Sequence, residues 1–360
     1  MAALIAMLAV AVTIAAGSGR APGASWSSPG LAAGAGEAVA SAAPLEAPGP
    51  RHKPTVVYDP VRRRLLIFSG LRGMSCYDDV WEMPIDAPGR WRQVATRGEG
   101  PAGRFGHTAI YDPVRDRMIV FGGSVEGRVP TAELWELLLS HRATWRRMTP
   151  AGTPPTARFA HTAVYDPVRG RMIVFGGFDG RFENDVWALS LGTLPSWSRL
   201  VPAGTPPQVR DAHVAIYDPA RRRMVVQGGF DGVAALDDTW ALSLSGPLRW
   251  HPIDCAQSPP PRRQHAAVYD AARDGMVIFG GNDGTDLAYG DVWFLPLAGD
   301  PSWRRMDREG PGPAPRWGPA LARDPVRDCL YVFGGTRPDG WFNDTWRFEP
   351  EPEPRWTQVP

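Results

Sequence analysis

Residues 158–197 read RFAHTAVYDPVRGRMIVFGGFDGRFENDVWALSLGTLPSW, and the rest of the chain is organised around copies of this stretch. Its fixed points recur six times. A glycine pair or its equivalent falls at Ser69-Gly70, Gly122-Gly123, Gly176-Gly177, Gly228-Gly229, Gly280-Gly281 and Gly334-Gly335. A first tryptophan follows at Trp81, Trp135, Trp187, Trp240, Trp293 and Trp346, and a second lies ten residues further on, at Trp91, Trp145, Trp197, Trp250, Trp303 and Trp356. The period is 52 to 54 residues throughout. Self-similarity at one spacing means stacked supersecondary units, each too small to bury its apolar face alone.

Within the unit, His161–Asp166 reads as a short apolar strand (A) closed by an Asp166-Pro167 turn, where Pro presets φ. Arg171–Phe175 is a continuous apolar run, hence a strand (B) buried on both faces, and the glycine pair ends it. From Asp185 to Leu191 a third strand (C) puts Asp185, Trp187, Leu189 and Leu191 on one face by the period of two. The fourth (D) carries the second tryptophan in SWSRL, and a Pro/Gly-rich loop leads to the next copy. Four short strands repeated six times predict an all-β fold of six four-stranded antiparallel blades around a central channel. Their bounds are about 51–103, 104–157, 158–209, 210–261, 262–315 and 316–360.

The pattern R-x-x-H-T-A, V-F-G-G, N-D-V-W and a second W at fixed spacing resembles the kelch repeat, from Arg51 to Pro360 without gaps. That resemblance implies a six-bladed kelch β-propeller, with strand A innermost and the B–C and D–A loops together on one face, where such proteins commonly hold ligands. The repeat array begins at strand A and ends with strand D, so no strand is shared between the first and last blades. Closure is therefore expected to rest on side-chain packing, with the seam as the weakest interface.

Ahead of the repeats, residues 1–24 contain the apolar run Met1–Ala16 with a small-residue exit, which reads as a secretory signal or short anchor. Residues 25–50, rich in Ala, Gly, Ser and Pro, read as a disordered tether. An exported protein of periplasmic, extracellular or cell-surface location in a bacterium is the expectation, membrane-bound only if the leader is uncleaved. A net charge of +1 gives no global field for nucleic acid or an anionic membrane. Arginine supplies nearly all the basic character, and Lys53 is the only lysine. Cys76, Cys255 and Cys329 occupy unrelated repeat positions and form neither a disulfide framework nor a metal pair.

The most regular polar feature is an arginine at Arg51, Arg104, Arg158, Arg210, Arg262 and Arg316, with an acid two residues before each first tryptophan: Asp79, Glu133, Asp185, Asp238, Asp291 and Asp344. Two six-fold sets of opposite charge fit internal ion pairs, because a lone buried arginine is costly. The competing reading is a cationic rim for a carboxylate, suited to the guanidinium fork. Strand A carries His107, His161, His213 and His265, spaced too widely for one zinc ion and expected to bond turn backbone. Asp59, Asp112, Asp166, Asp218, Asp270 and Asp324 are turn residues. No catalytic residue, metal site or cofactor is identified.

Individuality lies in the B–C loops, where Arg128, Phe178, Arg181, Phe182, Phe230, Tyr289, Arg337 and Trp341 are, with Arg104, Arg158, Arg210, Arg262 and Arg316, the candidate ligand-binding residues. Exposed aromatics with mixed charge suit recognition. The sequence thus reads as a monomeric module binding a protein or glycan on its B–C/D–A face. Galactose oxidase and a sialic-acid epimerase, which share the repeat, imply the alternative of a carbohydrate-active enzyme on that face. For a copper site of the former type, Cys76 beside Tyr77 is the only starting point.

Overall fold

The computed structural model describes residues 47–360 except 141, 308 and 309. The leader and all but the last four residues of the tether lie outside the described residues. Six four-stranded antiparallel sheets follow one another along the chain. The first is Thr55–Asp59, Arg64–Phe68, Val80–Pro84 and Arg92–Gln93, and the last is Ala320–Asp324, Cys329–Phe333, Thr345–Glu349 and Arg355–Val359. Their first strands (Thr55–Asp59, Thr108–Asp112, Thr162–Asp166, Val214–Asp218, Ala266–Asp270 and Ala320–Asp324) neighbour one another in chain order, and the last also neighbours the first. Strand A is thus innermost, the ring is closed, and the sheets are blades of a propeller.

Local chemistry explains each blade. The aspartate ending strand A is buried in all six, and in blade 1 Asp59 accepts from the Val61 and Arg62 amides, fixing the turn. Strand B is buried along its length, with Met172, Ile173, Val174 and Phe175 all inaccessible. The second tryptophan wedges onto the preceding blade: Trp145 meets Phe68, Trp197 meets Phe121, Trp250 meets Phe175 and Trp91 meets Phe333, with ring centroids 4.9–5.2 Å apart. Six apolar clusters result, one per junction, and the cluster joining Leu65, Trp81 and Trp91 to Ala322, Tyr331 and Phe333 is the seam.

Two expectations need correction. In blades 3 and 4 strand B does not stop at the glycine pair. It runs through it as Arg171–Phe178 and Arg223–Phe230, with a register shift at the first glycine. Docked chain also begins before Arg51, since Pro48 is buried, Ala47 packs on the seam cluster and Gly49 accepts from Arg51 Nε.

Closure, too, rests on more than side chains. The amide of the second glycine donates to the carbonyl of the next blade's arginine at every junction: Gly70 to Arg104, Gly123 to Arg158, Gly177 to Arg210, Gly229 to Arg262, Gly281 to Arg316 and, across the seam, Gly335 to Arg51 at 2.8 Å. The glycines adopt φ of 65° and 95° at Gly122 and Gly123, a region costly for other residues. A Cβ on Gly122 would lie 2.8 Å from the Arg158 carbonyl oxygen. Nearer the axis a second belt of amide-to-carbonyl bonds spans five junctions, the seam included through Lys53 to Gly318 at 2.7 Å. Hydrogen exchange should therefore protect the Arg51 and Lys53 amides as strongly as Arg210 and Ala212. Markedly faster exchange at the first pair would show the seam to be weak.

Candidate functional site

All six repeated arginines are 0–1 % exposed. Arg158 shows the plan: Nε donates to the Thr156 carbonyl, Nη1 to the Gly176 carbonyl and Asp185, and Nη2 to Asp185 again. Arg51, Arg210, Arg262 and Arg316 repeat this with Asp79, Asp238, Asp291 and Asp344, and Arg104 pairs singly with Glu133 at 2.9 Å. Each carboxylate also accepts from the first tryptophan of its blade, at 2.7 Å in five blades and 3.2 Å for Trp135 to Glu133. Tyr77, Tyr289 and Phe342 cover Arg51, Arg262 and Arg316 at 4.0, 4.4 and 3.9 Å. The structure thus places Arg104, Arg158, Arg210, Arg262 and Arg316, with Tyr289, in the frame, their guanidinium donors engaged internally. Tyr77, the candidate beside Cys76, is likewise occupied with Arg51, and burial pushes the Cys76 thiol up to about 11.

The strand-A histidines line the mouth of the channel, but their partners are not turn backbone. Nε2 of His107, His161 and His213 lies 2.8, 3.0 and 2.8 Å from the hydroxyl of Thr55, Thr108 and Thr162 on the preceding blade. His265 breaks the series because the preceding blade offers Val214, and both its ring nitrogens lack a partner among the described residues. Burial depresses all four, His161 to about 3, so they are neutral at physiological pH. Among the described residues no three His, Cys, Asp or Glu side chains converge as a metal site.

The residue after each arginine forms a backbone bridge with the residue after each glycine pair, joining the D–A and B–C loops on one rim: His52 with Leu71, Phe159 with Phe178, Asp211 with Phe230, Arg263 with Asn282, Trp317 with Thr336. In blade 2 the strand Arg104–Phe105 pairs with Ser124–Val125. Aromatic rings on this rim touch in unbroken succession. Trp341 of blade 6 meets His52 of blade 1 at 5.1 Å, His52 meets Phe105 at 6.4 Å, and Phe105 meets Phe159 at 6.0 Å. Phe159, Phe178, Phe182 and Phe230 continue at 5.6, 5.0 and 5.7 Å, and the Arg263 guanidinium lies 4.5 Å over Phe230. Most of these side chains are half-buried, so the crown presents ring edges and faces at the surface.

Of the candidate loop residues, the structure brings Phe178, Phe182, Phe230 and Trp341 together in this crown. Arg128 and Arg181 are exposed beside it, and Arg337 pairs with Asp339 within its own turn. Sequence reading passed over His52, Phe105, Phe159, Asp211, Arg263 and Trp317. They share one repeat position, and its variability directly after a constant arginine was the available signal.

A closed ring of six four-stranded blades, with constant residues locked inside and variable ones on one rim, defines a repeat β-propeller. The match to known sequences gives the family. The KLHDC2/KLHL20/DRC7 Kelch-repeats domain model matches residues 114–263 and 247–360. The chain belongs to the kelch-repeat family. It is 30% identical over 259 residues to the leucine-zipper-like transcriptional regulator 1 homolog of Drosophila melanogaster, covering 68% of this chain and 25% of that protein. It is also 31% identical over 242 residues to human host cell factor 2, covering 61% and 29%, and 30% identical over 275 residues to human host cell factor 1, covering 69% and 13%. The chain therefore spans less than a third of the length of these relatives.

The arginine frame makes a testable claim on stability. Burial alone would raise the Asp185 carboxyl, yet hydrogen bonds from Arg158 and Trp187 hold it below the ordinary carboxylate range, and Asp291 behaves likewise under Arg262. A pKa depressed on folding adds stability above the unfolded value, lost as pH falls through the folded one. Resistance to denaturant should fall progressively below about pH 4. Arg158→Ala should cost about 3–5 kcal/mol by stranding Asp185, whereas exposed Arg181→Ala should fall within about 0.5 kcal/mol of the parent. Equal effects would contradict the pairing.

Proposed function

We propose that the chain is a binding module that holds a segment of another protein across its aromatic crown. The observation that carries this reading is the contiguity of the crown: rings from blades 6, 1, 2, 3 and 4 and a guanidinium from blade 5 touch in one arc. Single exposed aromatics need no explanation, but a connected, half-buried set on a rigid frame supplies large contact area at small entropic cost. Charged side chains accompany it, with Arg128 and Arg181 exposed and Asp211 buried, which suits a polar rim around an apolar anchor. A glycan also stacks on aromatic faces, so it is the second occupant to be tested.

Peptide display against the full chain, alongside a glycan panel, provides the test. Enriched peptides should lose at least about tenfold in affinity on Phe182→Ala or Trp341→Ala, and should be indifferent to Val168→Ser on an A–B turn. Selection of glycans but not peptides would replace the protein partner by a carbohydrate. Peptides bound equally by all variants would remove the crown from consideration.

Export of the module belongs to the same proposal and rests on the apolar run Met1–Ala16 with its small-residue exit. N-terminal sequencing of the protein recovered from a bacterial expression host should find a start within or just after residues 16–24. An intact Met1 in the cytoplasmic fraction would contradict it.

A further inference from the structure

The channel mouth holds chemistry that neither the frame nor the crown uses. Its cavity of about 160 Å³ is lined by Lys53, Gln264, Gly318 and the four strand-A histidines. An apolar cavity of about 150 Å³ admits benzene, so the space suits a small organic molecule. Lys53 is the chain's only lysine, and it occupies a ring position held elsewhere by Gly106, Ala160, Ala212, Gln264 and Gly318. Its φ of 51° is left-handed, as at Ala160, Ala212 and Gln264, a conformation costly for any residue with a Cβ. No carboxylate among the described residues lies within 4.0 Å of its amine.

Further polar groups at or beside this mouth lack partners, among them Nδ1 of His107, His161 and His213. Asp211, 5 % exposed, has Oδ1 unbonded, and His265, 6 % exposed, has both ring nitrogens unbonded. We propose that this cavity captures small aldehydes and ketones covalently, with the Lys53 side chain as the nucleophilic amine. A simple anion would meet Lys53 and Arg263 but also the Asp211 carboxylate, and the neutral imidazoles of His107, His161, His213 and His265 add no charge to hold it. A neutral carbonyl compound meets no such repulsion. Burial pushes the Lys53 ammonium down to about 8, an effect reinforced by Arg263 and opposed by Asp211, so a useful fraction is free amine near neutrality. Asp211 itself is pushed up to about 6 by burial, against the pull of Lys53 and Arg263. The flanking His52 is driven down to about 3 by burial, with Lys53 and Arg128 adding to it.

The reaction is an addition followed by loss of water. The nitrogen lone pair of Lys53 forms the N–C bond, and the carbonyl π pair moves to oxygen. Both amine hydrogens pass to that oxygen, which leaves as water, so R–NH2 and O=CHR′ give R–N=CHR′ and H2O. Asp211, whose charge acts on Lys53, is the acid that carries these protons through solvent. The capture is reversible and needs no oxidant or reductant. This inference stands independently of any partner on the crown.

The test treats the full chain with benzaldehyde and cyanoborohydride, which fixes the imine as a benzyl amine, followed by peptide mapping. A single lysine makes the adduct unambiguous against the N-terminal amine. Lys53 should be alkylated at least about tenfold faster than Nα-acetyl-lysine at pH 7.5, with a pH–rate midpoint near 8. Lys53→Arg should abolish the adduct on that peptide. A rate equal to the free amino acid's, or a midpoint in the ordinary lysine range of about 10.4, would overturn the proposal. So would full protection of Lys53 by inorganic phosphate, which would make the cavity an anion site.

Discussion

The ring is held by one arginine used twice in each blade. Its backbone carbonyl takes the amide of the preceding blade's second glycine, while its guanidinium grips the carbonyl of its own blade's glycine position and, in the same blade, an acid. One residue thereby fixes both the internal fold of a blade and its angle to the neighbour. The geometry leaves no room to vary: a Cβ on the second glycine of blade 2 would approach His107 Cβ to 2.7 Å. Blade 1 substitutes Ser69 for the first glycine, and its hydroxyl accepts from the Arg104 amide at 2.8 Å, a side chain standing in for the missing backbone bond.

Because the seam uses the same amide-to-carbonyl bond as every other junction, closure needs no exchanged strand. Stability in repeat folds is a sum of unit and neighbour terms, and here all six neighbour terms share one chemical form. Constant residues inside then free the neighbouring positions. The residue after each arginine is bridged in place by backbone, so its side chain is positioned by the scaffold whatever it is. Six rigid mounts carrying His52, Phe105, Phe159, Asp211, Arg263 and Trp317 give a surface whose chemistry is set one blade at a time.

This division also explains what the amino-acid sequence disclosed. Blade number, strand order and the pairing partners were legible because the glycine, tryptophan, arginine and acid positions each answer to a geometric demand repeated six times. The crown was harder to see. Phe159 and Phe182 lie apart in the chain, and only the bridge of Phe159 to Phe178 and the strand pairing of Phe178 with Phe182 bring their rings into line. The extension of strand B through Gly176-Gly177 was hidden for a similar reason, since glycine signals a special φ without saying whether the ladder resumes beyond it. The histidine partner was misread because the bond crosses between blades, from Thr108 to His161, a relation that no local pattern encodes.

The six guanidinium groups are closed to solvent and ligand, which leaves the rim as the surface proposed for binding. Nitrogen-resolved NMR of the arginine side chains tests this directly, since each of the six Nε–H groups donates to a carbonyl two residues earlier. Six slowly exchanging Nε–H signals, unmoved by millimolar acetate or phosphate, are the predicted result. Rapid exchange of these signals with water, or their displacement on adding either anion, would show an open cationic ring and contradict the account.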